Sequence, residues 1–199
     1  MKNAYNYYCI YKPFGMLSQF TKEGDRAALS SLDYRFPLDV YPVGRLDADS
    51  EGLLLLTNNR SITAAMLDPE KGHWREYFVQ VDGDIDEKAL TELSAGVLIT
   101  VDGKKYHTRR CKAVKINTPA DLPDRNPPVR FRKEIPTSWL SLAITEGKNR
   151  QVRKMTAAVG FPTLRLIRTR IGGLALPEWH PGAVFELTEQ DFFKAFDRI

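Results

Sequence analysis

The residues best suited to catalysis form an acidic loop between two glycines, at positions 44 and 52. Arg45 opens this loop, and three acids follow it at intervals of two residues: Asp47, Asp49 and Glu51. A nearby positive charge keeps a carboxyl group ionised, and an ionised aspartate can act as a nucleophile or a general base without a metal ion. The spacing predicts that one of these carboxylates is catalytic, but it does not choose among them.

A second group of candidate residues is basic and lies on a predicted helix. The helix is expected from Arg150 to about Val159, because Gly160 follows it as a stop signal. Arg150, Arg153 and Lys154 stand at positions i, i+3 and i+4, so they share one face. Three cations on one helical face repel each other unless an anion lies opposite. This helix is therefore expected to face an anionic group, and it supplies candidate partners for the acidic loop.

Short regular elements are expected to position both groups. The run Leu53–Leu56, bounded by Gly52 and Asn58, predicts a strand buried on both faces, which would hold the acidic loop rigidly. Hydrophobic alternation predicts further strands at residues 5–12, 74–81, 97–101, 106–116, 138–145, 163–171 and 184–187. Helical spacing predicts other helices at residues 25–32, 59–67, 86–94 and 190–196. This order indicates an α+β fold with a mixed, largely antiparallel central sheet and flanking helices.

The dipeptide Asp102-Gly103 is the strongest hairpin signal in the chain. It predicts that the strand at residues 97–101 turns back and pairs with the whole segment 106–116.

Charge is unevenly distributed along the chain. The net charge is only +4, yet residues 104–133 contain ten Lys or Arg, and residues 148–170 contain seven with no acid. Residues 171–199 reverse the balance, with two basic and five acidic residues. Because a solvated surface normally mixes both signs, two basic blocks favour a polyanionic partner, and nucleic acid is the expected one.

Composition argues against several other classes of protein. A chain of 199 residues, 43% of them hydrophobic, can form one compact domain, and it contains no Gly/Ser-rich linker. Cys9 and Cys111 are too few for a disulfide framework, and the three histidines are too widely spaced for a metal site. Phosphate-loop and dinucleotide motifs are missing. Without a leader pattern or an apolar run of about 18 residues, a cytoplasmic protein is expected.

Residues 117–137 form a long irregular segment that contains five prolines and is basic towards its end. One interpretation is a solvated connector. The other is an arm that lies against a phosphate backbone, and a loop of this length inside a compact domain modestly favours that function.

Three segments carry a family resemblance: residues 44–59 (GRLDADSEGLLLLTNN), 77–79 (YFV) and 146–155 (EGKNRQVRKM). In this order they resemble the A-type pseudouridine synthases of the small ribosomal subunit. The resemblance extends over nearly the whole chain and implies that family's catalytic fold, with two lobes around a cleft. One catalytic domain over residues 1–199 is expected. Many relatives begin with a small S4-type RNA-binding domain, and this chain is expected to depart from them, because its catalytic part starts by Tyr5.

The resemblance implies that the protein isomerises a uridine within RNA to pseudouridine, with neither cofactor nor metal. By residue-to-residue match, Asp47 is the catalytic aspartate and Arg153 is the arginine that pairs with it. Tyr77 matches the tyrosine that lies against the base and is proposed to help remove the C5 proton. Whether Asp47 attacks the ribose or first removes a sugar proton is left open.

Further residues are expected to contact RNA under the same resemblance: Arg45, Lys148, Asn149, Arg150, Arg168, Arg130 and Arg132. Residues 125–128, 135–140 and 159–168 are similar to family members that act on the large ribosomal subunit. The expected partner is therefore ribosomal RNA, specifically 23S, and the expected oligomeric state is a monomer.

One position departs from the family pattern, and one alternative function remains. Arg75 stands where most relatives have Lys, which keeps the charge but alters its geometry. The alternative is a catalytically silent RNA-binding module on the same fold, whose sign would be a replaced Asp47 or Tyr77; both residues are present. A DNA-binding protein is disfavoured, because the basic helix also carries Val152 and Met155 for burial.

Overall fold

The computed structural model describes residues 5–68, 70–129 and 135–196. The chain forms two compact units: unit 1 comprises Met1–His73 and Arg168–Ile199, and unit 2 comprises Trp74–Ile167. None of the helices in the described part of the chain has the length and apolar character that a membrane span requires.

The described strands are β1 (Tyr7–Lys12), β2 (Tyr41–Pro42), β3 (Glu51–Thr57), β4 (Arg75–Asp82), β5 (Leu98–Val101), β6 (Lys104–His107), β7 (Lys112–Ile116), β8 (Thr137–Ile144), β9 (Thr163–Ile171), β10 (Leu174–Ala175) and β11 (Val184–Leu187). The α-helices are α1 (Arg60–Leu67), α2 (Glu87–Ala95), α3 (Gln151–Ala158) and α4 (Glu189–Ala195). Strand β9 crosses the boundary between the units, so its last four residues, 168–171, belong to unit 1.

In unit 1 an antiparallel sheet is built around β1 and β3. Strand β1 lies between β3 and β11, β2 also pairs with β3, and β10 pairs with the end of β9. The side chains of Leu53–Leu56 are at most 1% exposed, which confirms the predicted strand buried on both faces. Leu54 belongs to a core cluster with Ile10, Leu29 and Val40. Burial on both faces leaves β3 little freedom to move, so it is a firm base for the loop that precedes it.

In unit 2 strand β8 lies between β4 and β7, and both pairings are antiparallel. Strands β5 and β6 form a separate hairpin that turns at Asp102-Gly103, as predicted. Helix α2 packs against β7, and α3 packs against β5. The strand pairings in both units confirm the largely antiparallel sheet with flanking helices.

The ends of two helices follow their capping signals. The side chain of Asn59 accepts a hydrogen bond from the backbone N–H of Ile62, and that of Asp86 accepts one from Ala89. Helix α2 ends at Gly96, where φ is 96° and a Cβ atom would lie 2.3 Å from the carbonyl oxygen of Thr108. Both the backbone angle and the close approach therefore require glycine at this position.

The predicted strand at residues 106–116 is wrong in its length. It is divided into β6, which pairs with β5, and β7, which pairs with β8 in the other sheet of the unit. Thr108 is 2% exposed, and its hydroxyl accepts a hydrogen bond from the backbone N–H of Val97. Beyond it, the N–H of Cys111 donates to the carbonyl of Ser94. These contacts turn the chain away from the hairpin.

The predicted helix at residues 25–32 is also wrong, because only Leu29–Ser31 forms a single 3-10 turn. Ala28 is extended, with φ −123° and ψ 174°. Nearby, the N–H of Leu17 donates to the carbonyl of Ala27, and that of Leu29 donates to Gln19. Backbone groups at Ala27 and Leu29 therefore form hydrogen bonds with residues 17–19 instead of the hydrogen bonds of a helix.

Candidate active site

The acidic loop in unit 1 is held through its backbone on both sides of Asp47. The hydroxyl of Ser18 accepts a hydrogen bond from the N–H of Leu46 at 3.0 Å and donates one to the carbonyl of the same residue at 2.7 Å. On the other side, the carbonyl of Ala48 accepts from the N–H of Gly15 at 2.7 Å. Main-chain atoms on both sides of Asp47 thus take part in holding the loop.

Burial separates the three acids that spacing could not distinguish. Glu51 is 2% exposed, and it accepts a hydrogen bond from the hydroxyl of Tyr11 at 3.4 Å, so it belongs to the protein interior. Asp47 and Asp49 are partly exposed. A substrate can therefore reach these two acids more easily than Glu51.

A buried lysine that contacts the loop is a feature that the sequence did not predict. Lys12 is 0% exposed, and its ammonium group donates to the carbonyl oxygens of Pro13 at 2.9 Å, Met16 at 2.7 Å and Ala48 at 3.4 Å. It thus connects the end of β1 with the residue that follows Asp47. The sequence feature that could have indicated this burial is the position of Lys12 at the end of an otherwise aromatic and apolar strand.

Burial lowers the pKa of Lys12 to about 7, although the charge of Glu51 acts in the opposite direction. Arg168 lowers the pKa further by repulsion, whereas Asp49 and Asp47 raise it. Loss of hydration thus disfavours the charged form of Lys12, and the nearby loop carboxylates offset only part of this effect.

The lowered pKa of Lys12 predicts a pH-dependent stability. Between pH 7 and the ordinary pKa of 10.5, the unfolded chain holds a proton on this lysine that the folded protein has released. The free energy of unfolding should therefore rise with pH in this window, by at most about 1.4 kcal/mol per pH unit from this residue. Urea unfolding of the parent and of Lys12→Met at pH 7, 8 and 9 measures the effect. A parental slope no steeper than that of the Met variant would contradict the prediction.

Tyr77 lies in the middle of β4 in unit 2, opposite Leu142 of β8, and is 7% exposed. It shares a buried face with Val79 and Val81, as the alternation predicted. A ring packed in this way has a fixed orientation, because its neighbours on the strand are themselves fully buried.

The basic loop before α3 presents three residues to solvent, namely Lys148, Asn149 and Arg150. Arg150 caps α3 in the left-handed conformation, with φ 51° and ψ 35°, so it lies outside the helix. The predicted shared face of Arg150, Arg153 and Lys154 is corrected accordingly, since only the last two lie within α3. Both are partly buried, and the guanidinium of Arg153 donates to the carbonyl of Thr163 at 3.5 Å.

The structure distinguishes among the other expected RNA-binding residues. Arg45 is exposed, and its guanidinium donates to the side chain of Gln19 at 2.7 Å. Arg168 is only 4% exposed, and its Nε donates to the carbonyl of Leu53 at 2.7 Å. The predicted RNA contact of Arg168 is therefore corrected: this guanidinium supports β3 instead of facing solvent. Arg130 and Arg132 lie outside the described residues.

Part of the irregular segment 117–137 is attached to β9 by arginine side chains. The guanidinium of Arg125 donates to the carbonyls of Pro127 at 2.7 Å, Pro128 at 2.9 Å and Leu164 at 3.3 Å. Arg165 of β9 donates to the carbonyl of Pro123 at 2.9 Å. Up to residue 129 the segment is thus a structured part of unit 2.

The candidate residues fall into two groups, one in each unit. Arg45 and Asp47 share the acidic loop of unit 1, whereas Tyr77 and the residues from Lys148 to Arg153 belong to unit 2. The pairing of Asp47 with Arg153 stays a prediction. Among the described residues, no three His, Cys, Asp or Glu side chains are grouped so that they could hold a metal ion.

The chain has an antiparallel α+β fold, an aspartate loop before a buried strand, and a basic motif before α3. A comparison with known protein families agrees with these three features. Residues 6–158 match the family described as RNA pseudouridylate synthase, and the chain belongs to this family. The predicted fold and the predicted class of enzyme, an RNA pseudouridine synthase, are thereby confirmed.

Particular relatives are similar over most of their length. The chain is 45% identical over 173 residues to the ribosomal large subunit pseudouridine synthase E of Xanthomonas campestris pv. campestris, a match that covers 87% of this chain and 90% of that protein. It is 47% identical over 171 residues to the protein of the same name in Vibrio parahaemolyticus, with 86% and 69% covered. A crystal structure of a pseudouridylate synthase is similar with a TM-score of 0.76 and 25% identity, covering 96% of this chain and 74% of that one.

Proposed function

We propose that this protein converts one specific uridine of large-subunit (23S) ribosomal RNA into pseudouridine, as a member of the A-type synthases that its motifs resemble. The observation that supports this substrate is the 45–47% identity to enzymes named ribosomal large subunit pseudouridine synthase E. We further propose that residues 1–199 act as one catalytic domain, as a monomer in the cytoplasm.

In the proposed reaction the bond between N1 of uracil and the ribose breaks, and C5 of the same base joins the same sugar carbon. A proton leaves C5 and another is taken up at N1, so substrate and product have the same composition. The reaction therefore consumes no cofactor, and the protein has to supply only positioning, a nucleophile or base, and proton transfer.

Asp47 is the residue that we assign to the ribose, either as a nucleophile or as the base that removes a sugar proton. Its partial exposure and its fixed backbone support this role. We assign to Tyr77 the contact with the base and a part in removing the C5 proton. We assign to Arg153 the role of keeping Asp47 ionised. These three roles rest on the match of each residue to the family pattern.

A uridine within an RNA stem has to leave the base stack before its sugar can approach Asp47. Such flipping costs a few kcal/mol, which contacts to phosphates can offset. The exposed side chains of Lys148, Asn149 and Arg150 are the proposed contacts in the described part of the chain, with Arg45 beside Asp47. Arg130 and Arg132 are proposed from the sequence alone, and the segment 117–137 is the proposed determinant of substrate choice.

The experiment that tests this function is a map of pseudouridines in the ribosomal RNA of a strain that lacks the protein. One pseudouridine of 23S RNA is expected to be missing, and it should return when the parental gene is restored but not when the gene encodes Asp47→Asn. An unchanged 23S map would refute the proposed substrate. If the protein were a catalytically silent RNA-binding module, the genes for the parent and for Asp47→Asn would give the same pseudouridine map.

A further inference from the structure

One carboxylate ties the basic loop before α3 to the end of the β5–β6 hairpin. Glu146 accepts hydrogen bonds from the hydroxyl of Tyr106 at 2.5 Å, the backbone N–H of Arg109 at 2.8 Å and the side-chain amide of Gln151 at 2.5 Å. Segments that are about 40 residues apart in sequence are thereby held together within unit 2. Charge-assisted hydrogen bonds of this kind are stronger than neutral ones, so the connection is firm.

Lys148 contacts both the hairpin and the first residue of α3. Its ammonium group lies 5.0 Å from the centre of the Tyr106 ring, and its backbone N–H donates to Gln151 at 2.9 Å. The hydrogen bond to Glu146 raises the pKa of Tyr106, so this phenol stays protonated and continues to donate. Tyr106 therefore contacts Lys148 through its ring and Glu146 through its hydroxyl.

Exposed cations follow directly after the end of the hairpin. Arg109 and Arg110 are both exposed. The backbone N–H of Arg109 donates to Glu146, the same carboxylate that accepts from the hydroxyl of Tyr106. The sequence contains no Asp or Glu from residue 103 to residue 120. Glu146, the acid at the centre, already accepts three hydrogen bonds. Exposed cations thus occur in the basic loop, at Lys148, and in the segment that Glu146 ties to it, at Arg109 and Arg110.

We propose that Arg109, Arg110 and Lys148 form a phosphate-binding patch for the RNA that flanks the target uridine, aligned with the basic loop by Tyr106 and Glu146. The inference rests on the proposed function and extends it to Arg109 and Arg110, which lie outside the family motif. Phosphate is the matching group, because exposed guanidinium and ammonium groups bind its oxygens without selecting a base. The patch should therefore contribute to affinity and alignment rather than to the chemical step.

The main test is the double variant Arg109→Gln/Arg110→Gln. It leaves the bond to Glu146 in place, because that bond uses the backbone N–H of Arg109. KM and Kd for a 23S RNA fragment are expected to rise about tenfold, with kcat within about twofold of the parent. The slope of log Kd against log salt concentration should fall by about 1.5 to 2, since two phosphate contacts are lost.

The matched control is Arg35→Gln/Arg60→Gln, which removes the same charge from exposed positions of unit 1. It should change KM and the salt slope much less. Equal changes in the two double variants would overturn the patch. If the parental protein neither bound nor modified the 23S fragment, the proposed function itself would fail, and this result differs from a failure of the patch.

A second test addresses the alignment by Tyr106. Tyr106→Phe removes the hydroxyl that contacts Glu146 but keeps the ring beneath Lys148, and we expect KM to rise about threefold to fivefold with kcat nearly unchanged. Tyr34→Phe is the control, because Tyr34 also donates to a carboxylate, that of Glu186, in unit 1. Thermal unfolding of both variants corrects for lost stability. Identical KM values for the two variants would exclude a positioning role for Tyr106.

Discussion

Replacement of Asp47 by Asn is expected to abolish pseudouridine formation, with turnover falling by at least about 10³-fold. An amide has nearly the size of the carboxylate, but it can neither attack the ribose nor accept its proton. The loop should keep its conformation, because Ser18 and Gly15 hold it through main-chain atoms. Single-turnover modification of a 23S RNA fragment, together with its Kd, separates the lost chemistry from binding.

Asp49→Asn is the matched control for this experiment. Asp49 lies two residues further along the same loop and is also partly exposed, so the substitution makes the same chemical change at nearly the same place. We expect its turnover to stay within about tenfold of the parent. If the Asp47 variant modified RNA at the parental rate, or if Asp49→Asn were the inactive one, Asp47 would not be the catalytic residue.

Replacement of Tyr77 by Phe is expected to reduce turnover by about 10²- to 10³-fold while RNA affinity changes little. The ring would still fill its place on the buried face of β4, because only the hydroxyl is lost. Without this hydroxyl, removal of the C5 proton loses its proposed participant, so the step that completes the new bond should become slow. The rate constant of single-turnover modification measures this effect.

A substrate deuterated at C5 makes the test of Tyr77 more specific. If proton removal limits the reaction of Tyr77→Phe, deuteration should slow this variant more than the parent. The control is Tyr41→Phe, a loss of the same hydroxyl from a residue that is 59% exposed in unit 1, and it should behave as the parent does. Parental turnover in Tyr77→Phe would leave Tyr77 as a packing residue of β4.

Much of the fold could be predicted from the sequence because local signals determine it. Four leucines between Gly52 and Thr57 predict a short buried strand, and β3 includes all four. Asn59 and Asp86 cap the helices that follow them, since the side chain of each accepts a hydrogen bond from the backbone N–H three residues further on. Asp102-Gly103 turns its hairpin for a similarly local reason.

The class of enzyme was also accessible from the sequence, since its motifs are contiguous segments. The acidic loop, Tyr77 and the motif before α3 could be compared with a family pattern without knowledge of any tertiary contact. The individual roles of Asp47, Tyr77 and Arg153 stay predictions that the variants above test.

Tertiary structure alone decided which charged residues are buried and which are exposed. Lys12 contacts Ala48, 36 residues away, and Arg168 contacts Leu53, 115 residues away. Arg168 was expected to bind RNA, and the burial of Lys12 was not expected. A hydrogen-bond partner so distant in sequence leaves no periodic or local signal, so burial of these cations could not be predicted.

Contacts between residues distant in sequence also explain why some elements were predicted with the wrong length. They explain as well why the contacts of Glu146 were not predicted. Residues 106–116 alternate like one strand, but the contacts of Thr108 and Cys111 with distant backbone divide it. Glu146 lies 40 residues from Tyr106, and only folding makes the two side chains neighbours. The sequence by itself determined the local elements and the motif residues, whereas long-range hydrogen bonds decided which cations support the fold and which face the RNA that we propose as substrate.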